Sequence, residues 1–437
     1  MGHAVNSDRE HRLLQRQLDH TVTGAPDSPV LLKILQILFS HEDAGLARRI
    51  PFQLTPLDRL SERLGIAEDR LGEKMDSMAR RGLVLDVEHQ GRRYFALAPV
   101  VIGFFEFTFM RARDDMPMAE LGRLFDEYFT RDERFPRSIF RQDTQIGRSF
   151  VREEALPQGD HTEILDWERA SHVVRSASAV GVSLCACRHK AGHVGNACDA
   201  PQRVCLSFNF AADSLIRNGM AEPVSAGKAM DILARCKEAG LAQTGDNVQR
   251  KVTFICNCCG CCCEMIRAVK TYEIRNAIVT SNWIVEIDAA RCQGCGQCAK
   301  ACPVDAIRID ATAEKDGREE RKRAVRDETV CLGCGVCYQA CEFGAIAMKP
   351  RPRRVLPPET VFDRVVMMAV ERGKLTDLLF NNPQRLSPRA LGRIVKIIER
   401  SPLFKAAMAI RPLRSAFLET VVAKAKKKAG TLASVLQ

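Results

Sequence analysis

The sequence lacks long apolar runs. The longest one extends from Val100 to Met110 and includes Glu106, whereas a membrane-spanning helix needs about 18 apolar residues or more. We therefore predict that this run is a buried helix or strand. The first residues, Met1 to Glu10, also lack the apolar core of a signal peptide. We expect a cytoplasmic protein whose thiols stay reduced.

The sequence also lacks a Rossmann glycine fingerprint, a P-loop and a flavin motif. These absences argue against hydride and phosphoryl chemistry, although they say little about a reductase based on metal clusters. Cysteine, in contrast, is abundant, with 19 in 437 residues. In a reducing compartment, clustered cysteines indicate metal binding rather than disulfides. The length suffices for two to four domains.

One cysteine pattern occurs twice between Asp288 and Met348. The copies begin at Cys292 and Cys331, and both have the spacing C-x2-C-x2-C-x3-C. A shift of 39 positions superposes them without a gap, which indicates an internal repeat. Three thiolates separated by two residues each can wrap a loop around one [4Fe–4S] cluster, with glycine where the backbone must approach the sulfides.

The repeat resembles the two-cluster bacterial ferredoxins over about 60 residues. The resemblance implies low-potential electron transfer and two [4Fe–4S] clusters, with the fourth cysteine of each copy bound to the other cluster. The first predicted ligand set is Cys292, Cys295, Cys298 and Cys341, and the second is Cys331, Cys334, Cys337 and Cys302. Structural zinc is the alternative, but zinc does not require the third cysteine or the Cys-Pro pair. Glu342 replaces the usual proline, and we expect the charged insert from Ala313 to Arg323 to be a solvent loop.

Ten further cysteines cluster in the middle of the chain. They are Cys185, Cys187, Cys198, Cys205, Cys256, Cys258, Cys259, Cys261, Cys262 and Cys263. Helices alternate with short apolar strands here, which favours an α/β domain with ligands at strand ends. We predict one or two additional iron–sulfur clusters, with the first four cysteines as one set and the last six as another, although mixed sets stay open. A zinc site and a redox dithiol are the alternatives, and Cys258-Cys259-Gly260 resembles the tripeptide of heterodisulfide reductases.

Basic residues surround the first of these cysteines, namely Arg188, His189, Lys190 and His193. They either raise the potential of a cluster, bind an anion, or are solvated residues beside a loop. Cys236 lies at helical spacing from the apolar residues of a predicted helix, so we expect it to be a buried structural thiol.

Residues 30–97 read as three helices and a hairpin, an order that resembles a winged-helix domain. The third helix, predicted from Ala67 to Arg81, balances its acidic and basic residues. Since a DNA-binding face needs net positive charge, a protein-interaction module is favoured over a nucleic-acid partner.

The carboxy-terminal part is basic. From Arg351 to Gln437 there are 18 Lys and Arg against 6 Asp and Glu. Its predicted amphipathic helices suit an anionic membrane surface, at the inner face of the membrane, or an acidic partner. A solvated helical cap is the alternative.

Together these features predict an α+β multidomain protein. Its expected parts are a winged-helix-like domain (1–98), a helical connector (99–160), a cysteine-rich α/β domain (161–283), a 2[4Fe–4S] ferredoxin domain (284–350) and a basic helical tail (351–437). We expect a protein that relays single electrons to a redox partner protein. The alternatives are a reductase with its active site at Cys256 to Cys263 and a redox-sensing DNA-binding regulator.

Overall fold

The computed structural model describes residues 8–131, 133–140, 142–156, 165–312, 321–379 and 419–423. Helices and small sheets are mixed throughout these residues, as the sequence predicted. Three predicted features lie wholly or partly outside them: a helix cap that the sequence suggests at Thr162, residues 313–320 of the charged insert, and the basic tail helices expected between Ser387 and Lys428, of which only residues 419–423 are described. All 19 cysteines are described, and all are free thiols.

The amino-terminal part contains five helices and a three-stranded antiparallel sheet of order β1-β3-β2. Its elements are α1 (Arg9–Asp19), α2 (Pro29–Leu38), α3 (His41–Ala47), β1 (Thr55–Pro56), α4 (Leu57–Leu64), α5 (Glu68–Arg80), β2 (Val84–His89) and β3 (Arg92–Leu97). The Ser28 hydroxyl accepts the Val30 amide at 3.2 Å and so caps α2. The sequence Thr55-Pro56 predicts a helix cap at Thr55, but the N-cap of α4 is Pro56 and Thr55 pairs with Phe95 in the sheet. The winged-helix classification stays a prediction.

The connecting part is built around aromatic side chains. An irregular turn (Val100–Phe104), with non-helical backbone angles from Val101 to Gly103, leads into α6 (Phe105–Phe109), followed by α7 (Met118–Thr130) and α8 (Arg134–Phe140). The ring of Phe105 lies 5.1 Å from that of Phe125 and 4.7 Å from that of Phe129, centroid to centroid. The predicted buried run from Val100 to Met110 is thus the start of this core.

The central part is a six-stranded sheet of order β4-β8-β9-β6-β5-β7. Its strands are β4 (Gly147–Ser149), β5 (Val180–Leu184), β6 (Arg203–Phe208), β7 (Glu222–Pro223), β8 (Ala242–Asp246) and β9 (Phe254–Cys258). Its helices are α9 (Ala170–Ser176), α10 (Ala186–His193), α11 (Asn209–Arg217), α12 (Ala226–Glu238) and α13 (Glu264–Thr271). Cys236 on α12 is fully buried, which confirms the prediction of a buried thiol.

Two predictions about the central part need correction. Its strand pairings are all antiparallel, so the alternation of helices and strands does not reflect the parallel sheet of an α/β domain. The connector is also not purely helical, because β4 comes from it and forms the edge of the central sheet.

The repeat region carries two antiparallel strand pairs, β10–β13 and β11–β12. Its elements are β10 (Trp283–Ile287), α14 (Gln297–Ala301), β11 (Ile307–Thr312), β12 (Arg321–Arg326), α15 (Val336–Gln339) and β13 (Ile346–Pro350). The insert is therefore not a loop throughout, since Arg321 to Arg323 belong to β12. Two helices follow, α16 (Val361–Glu371) and α17 (Leu375–Leu379).

The N-terminal sheet and α16 both bind to the central part. The buried carboxylate of Asp86 on β2 accepts hydrogen bonds from Ser214 at 2.8 Å, from Arg217 at 2.8 Å and from Asn218 at 2.6 Å. Arg364 on α16 forms an ion pair of 3.2 Å with Asp246 at the end of β8. The described start of the basic tail is therefore packed against the protein.

Candidate metal centres

Each cysteine loop of the repeat closes around a small cavity of about 20 Å³. The cysteines lining the first cavity are Cys292, Cys295, Cys298 and Cys341. Those lining the second are Cys302, Cys331, Cys334 and Cys337. Three thiols of each set come from one copy of the repeat and the fourth comes from the other copy. This is the arrangement expected if the fourth cysteine of each copy binds the cluster of the other copy. Among the residues that the structure describes, no charged side chain lines either cavity.

The backbone around these cavities suits a thiolate-bound group. The Ala306 amide donates to the Cys302 sulfur at 3.2 Å, and the Ala324 amide donates to the Cys292 sulfur at 3.4 Å. Such hydrogen bonds to sulfur tune cluster potentials. Gly333 has a φ of +70°, and a Cβ there would collide with the carbonyl oxygen of Trp283. Only glycine fits this loop.

Burial raises the pKa of the Cys334 thiol to about 12 and raises the pKa of Cys337 as well. Metal ligation requires thiolates, so loading these sites must release protons.

The ten central cysteines divide into two groups that differ from the predicted sets. The first group, called here the four-thiol site, is Cys198, Cys259, Cys261 and Cys262, whose sulfurs all lie within 4.8 Å of one another. The second, called here the six-cysteine group, is Cys185, Cys187, Cys205, Cys256, Cys258 and Cys263. The predicted division by sequence position is wrong, because Cys198 joins the later cysteines and Cys185, Cys187 and Cys205 face Cys256, Cys258 and Cys263.

The six-cysteine group forms a chain of neighbouring thiols. The Cys263 thiol donates to the Cys258 sulfur at 3.2 Å, and Cys187 hydrogen bonds to Cys263. Cys256 in turn hydrogen bonds to both Cys205 and Cys258. These hydrogen bonds lower the pKa of Cys258 to about 6 and raise the pKa of Cys256. A string of sulfurs suits several metal ions rather than one.

The strands explain this placement. Cys256 and Cys258 alternate with buried Ile255 and Asn257 on β9, so both cysteines point to one face of the sheet. Leu206 on β6 pairs with Ile255, which brings Cys205 opposite Cys256. Cys185 precedes α10 and Cys187 lies in its first turn, so both sulfurs approach the same face.

Two of the four basic residues beside the first cysteines, Arg188 and Lys190, are buried. The interpretation that they are solvated residues beside a loop is therefore wrong for these two. Arg188 is 0% exposed and Lys190 is 1% exposed. The Arg188 guanidinium donates to the Asn257 carbonyl at 3.2 Å and to the sulfurs of Cys259 and Cys198. Lys190 forms ion pairs with Asp126 at 2.7 Å and with Glu264 at 2.8 Å, which leaves it away from the sulfurs.

A cavity of about 660 Å³ adjoins the six-cysteine group. Its walls are largely apolar and include aromatic side chains such as Phe105, Phe129 and Tyr272. Among the described residues lining it, Glu106 is the one carboxylate with no ion pair, and its carboxylate accepts the Gly103 amide at 2.8 Å. Burial raises the pKa of Glu106 to about 8. Sequence reasoning did not find this cavity, although a single acidic residue inside an apolar run was a signal.

Residues 291–345 match the family model described as a 4Fe-4S dicluster domain. This match confirms the predicted 4Fe–4S ferredoxin-type domain, and it covers both cysteine loops. Comparisons with curated proteins and with solved structures returned no match. Within the described ranges, no helix has both the length and the apolar character needed to cross a membrane.

Proposed function

We propose that the chain is an iron–sulfur electron-transfer protein in which the ferredoxin-type loops exchange single electrons with a further cluster at the six-cysteine group. One observation carries this proposal. Cys258 pairs across the sheet with Ala242, and Ala242 packs in one small core with Cys334 and Val336. A single residue therefore separates a sulfur of the six-cysteine group from the second ferredoxin set. Bound at these thiolates, iron–sulfur clusters supply one-electron transfer.

The direct test is to count iron and sulfide in the full chain purified without oxygen. The ferredoxin loops alone would give about eight of each per chain, and a further cluster raises both counts. Replacing Cys258 with Ser should remove only the excess and leave the EPR signal of the dithionite-reduced ferredoxin loops. A count of about eight in both proteins would contradict the further cluster, and a colourless protein without an EPR signal would contradict the whole proposal.

The cavity favours a second candidate function, a reductase that acts at the six-cysteine group. The ferredoxin cavities each measure only about 20 Å³, so the central cavity of about 660 Å³ leaves space for a ligand beside a cluster. Its size and apolar walls are those of a small-molecule site. The unpaired Glu106 would anchor a neutral ligand that accepts a hydrogen bond.

Binding of a neutral, planar dye with a carbonyl group, Nile red, tests this candidate. Ala211 lines the cavity, so Ala211→Trp should abolish saturable binding to the full chain. Ala226 is exposed on α12, and Ala226→Trp is the matched control. Equal binding by both variants, with unchanged iron content, would rule out the cavity as the site.

The partner that we propose is a redox protein, not nucleic acid. Basic residues of the hairpin form ion pairs within their own domain: Arg92 pairs with Asp58 at 2.6 Å, and Arg93 pairs with Asp76. These pairs, together with the Asp86 contacts to α11, support a role in holding the central part. Contact of the tail with an anionic membrane or an acidic partner stays a prediction, since most of the tail lies outside the described residues.

A further inference from the structure

The four-thiol site has the dimensions of a site for a single metal ion. The sulfur of Cys262 lies 3.6 Å from that of Cys261 and 3.9 Å from that of Cys198. Four thiolates bound tetrahedrally at about 2.3 Å from one zinc ion stand roughly 3.8 Å apart. The observed separations therefore agree with one ion at the centre.

The ferredoxin sets provide an internal comparison. A cubane places four irons and four sulfides between its cysteine sulfurs, so those sulfurs must be farther apart than around one ion. Within the part of the chain that the structure describes, the four-thiol site is the one group of three or more ligand-type side chains whose ligand atoms all lie within 4.8 Å of each other. Neither ferredoxin set meets that limit. The sulfurs of the four-thiol site are thus closer together than the sulfurs of either ferredoxin set in the same structure.

The surroundings offset the charge that such a site acquires. Four thiolates and one divalent ion carry a net charge of about −2, and burying that charge requires a compensating partner. Arg188 is fully buried and donates to two of the four sulfurs. The Cys262 amide also donates to the Cys259 sulfur, at 3.4 Å. All ligands are thiols, which are the soft donors that zinc accepts.

We propose that Cys198, Cys259, Cys261 and Cys262 bind one tetrahedrally coordinated metal ion of the zinc type, which has a structural role. The ion would tie the loop after β9 to the loop after α10. Gly260 lies within the loop after β9. A Cβ at this position would be 2.8 Å from the carbonyl oxygen of Pro303, which is beside the ferredoxin ligand Cys302. The ion therefore fixes the loop against which the ferredoxin domain packs. This inference goes beyond electron relay, because zinc is not redox-active.

The test is metal analysis of the full chain purified without oxygen, by mass spectrometry. We expect one zinc per chain in addition to iron. Cys261 is exposed, so Cys261→Ser should disturb folding little, yet it should lower the zinc content to below a tenth of an equivalent. Cys187→Ser, in the six-cysteine group, is the matched control and should retain zinc.

EPR separates misfolding from loss of the ion. Both variants should keep the ferredoxin signal after dithionite reduction. Replacement of zinc by Co²⁺ should give the intense thiolate charge-transfer absorption of a tetrahedral site in the wild type and in Cys187→Ser only. Loss of about four irons per chain in Cys261→Ser, with zinc absent from the wild type, would overturn the proposal. That outcome would contradict the zinc site but not the proposed electron-transfer function. Loss of the ferredoxin EPR signal would contradict the electron-transfer function but not the zinc site.

Discussion

Replacing Glu106 with Gln should stabilise the protein at alkaline pH and leave its stability unchanged at acidic pH. The Glu106 carboxylate lies at the apolar cavity and accepts one hydrogen bond, from the Gly103 amide at 2.8 Å. A glutamine oxygen can accept the same bond. The substitution therefore removes the titrating proton and changes little else.

The expected magnitude follows from the pKa. Burial raises the pKa of Glu106 from 4.5 to about 8. Below pH 4.5 the Glu106 carboxyl is protonated in both the folded and the unfolded chain, so it does not lower the free energy of unfolding. Between these values the folded state keeps a proton that the unfolded state has lost, so stability falls by about 1.4 kcal/mol per pH unit. Above pH 8 the full cost is roughly 5 kcal/mol, as an upper bound.

The assay compares apparent thermal midpoints of the full chain, wild type and Glu106→Gln, from pH 5 to pH 9 without oxygen. Since about 1 kcal/mol shifts the midpoint by roughly 2 °C in a large domain, the variant should gain on the order of 10 °C at pH 8.5. Glu120→Gln, at an exposed position on α7, is the control for losing a charge. A difference that does not change with pH, or a variant less stable than the wild type at pH 8.5, would refute the reasoning.

Three other substitutions test the remaining contacts. Gly333→Ala should lower iron content by about four per chain, because the carbonyl of Trp283 leaves no room for a Cβ; Gly344→Ala, which shares the left-handed backbone but has open space, should not, and equal iron in both would contradict this. Arg188→Gln should speed zinc release to a chelator roughly 10- to 100-fold, as loss of a hydrogen-bonding neighbour does at metal sites, and an unchanged rate would contradict the charge argument. Asp86→Ala should cost about 3 kcal/mol in the free energy of unfolding, because the Ser214 hydroxyl and the buried Asn218 amide lose the carboxylate that accepts their hydrogen bonds; an unchanged midpoint in chemical denaturation would contradict it.

Local signals predicted the elements well. The apolar spacing on α2 and the glycine that follows α5 predicted helices from Val30 to His41 and from Ala67 to Arg81. These bounds agree with the observed helices to within one to three residues, since helix ends depend on adjacent side chains. The strand β12 was missed because four of its six residues, from Arg321 to Arg326, are basic. Its pairing with β11 supplies the ladder hydrogen bonds that its composition does not predict.

The ligand sets of the repeat and of the central part were not equally predictable. In the repeat, the two ligand sets follow from one short cysteine spacing that occurs twice, so residues close in sequence suffice to predict them. In the central part, Cys198 and Cys262 are 64 residues apart and meet through the turn at Gly260. Period-two alternation alone indicates that Cys256 and Cys258 share a face, but it cannot name the neighbouring strand. That information lies in the order β8-β9-β6 of the sheet, which places Cys205 beside Cys256. The same order places Ala242 between Cys258 and Cys334, so the pairing that assembles the six-cysteine group also brings it next to the ferredoxin loops.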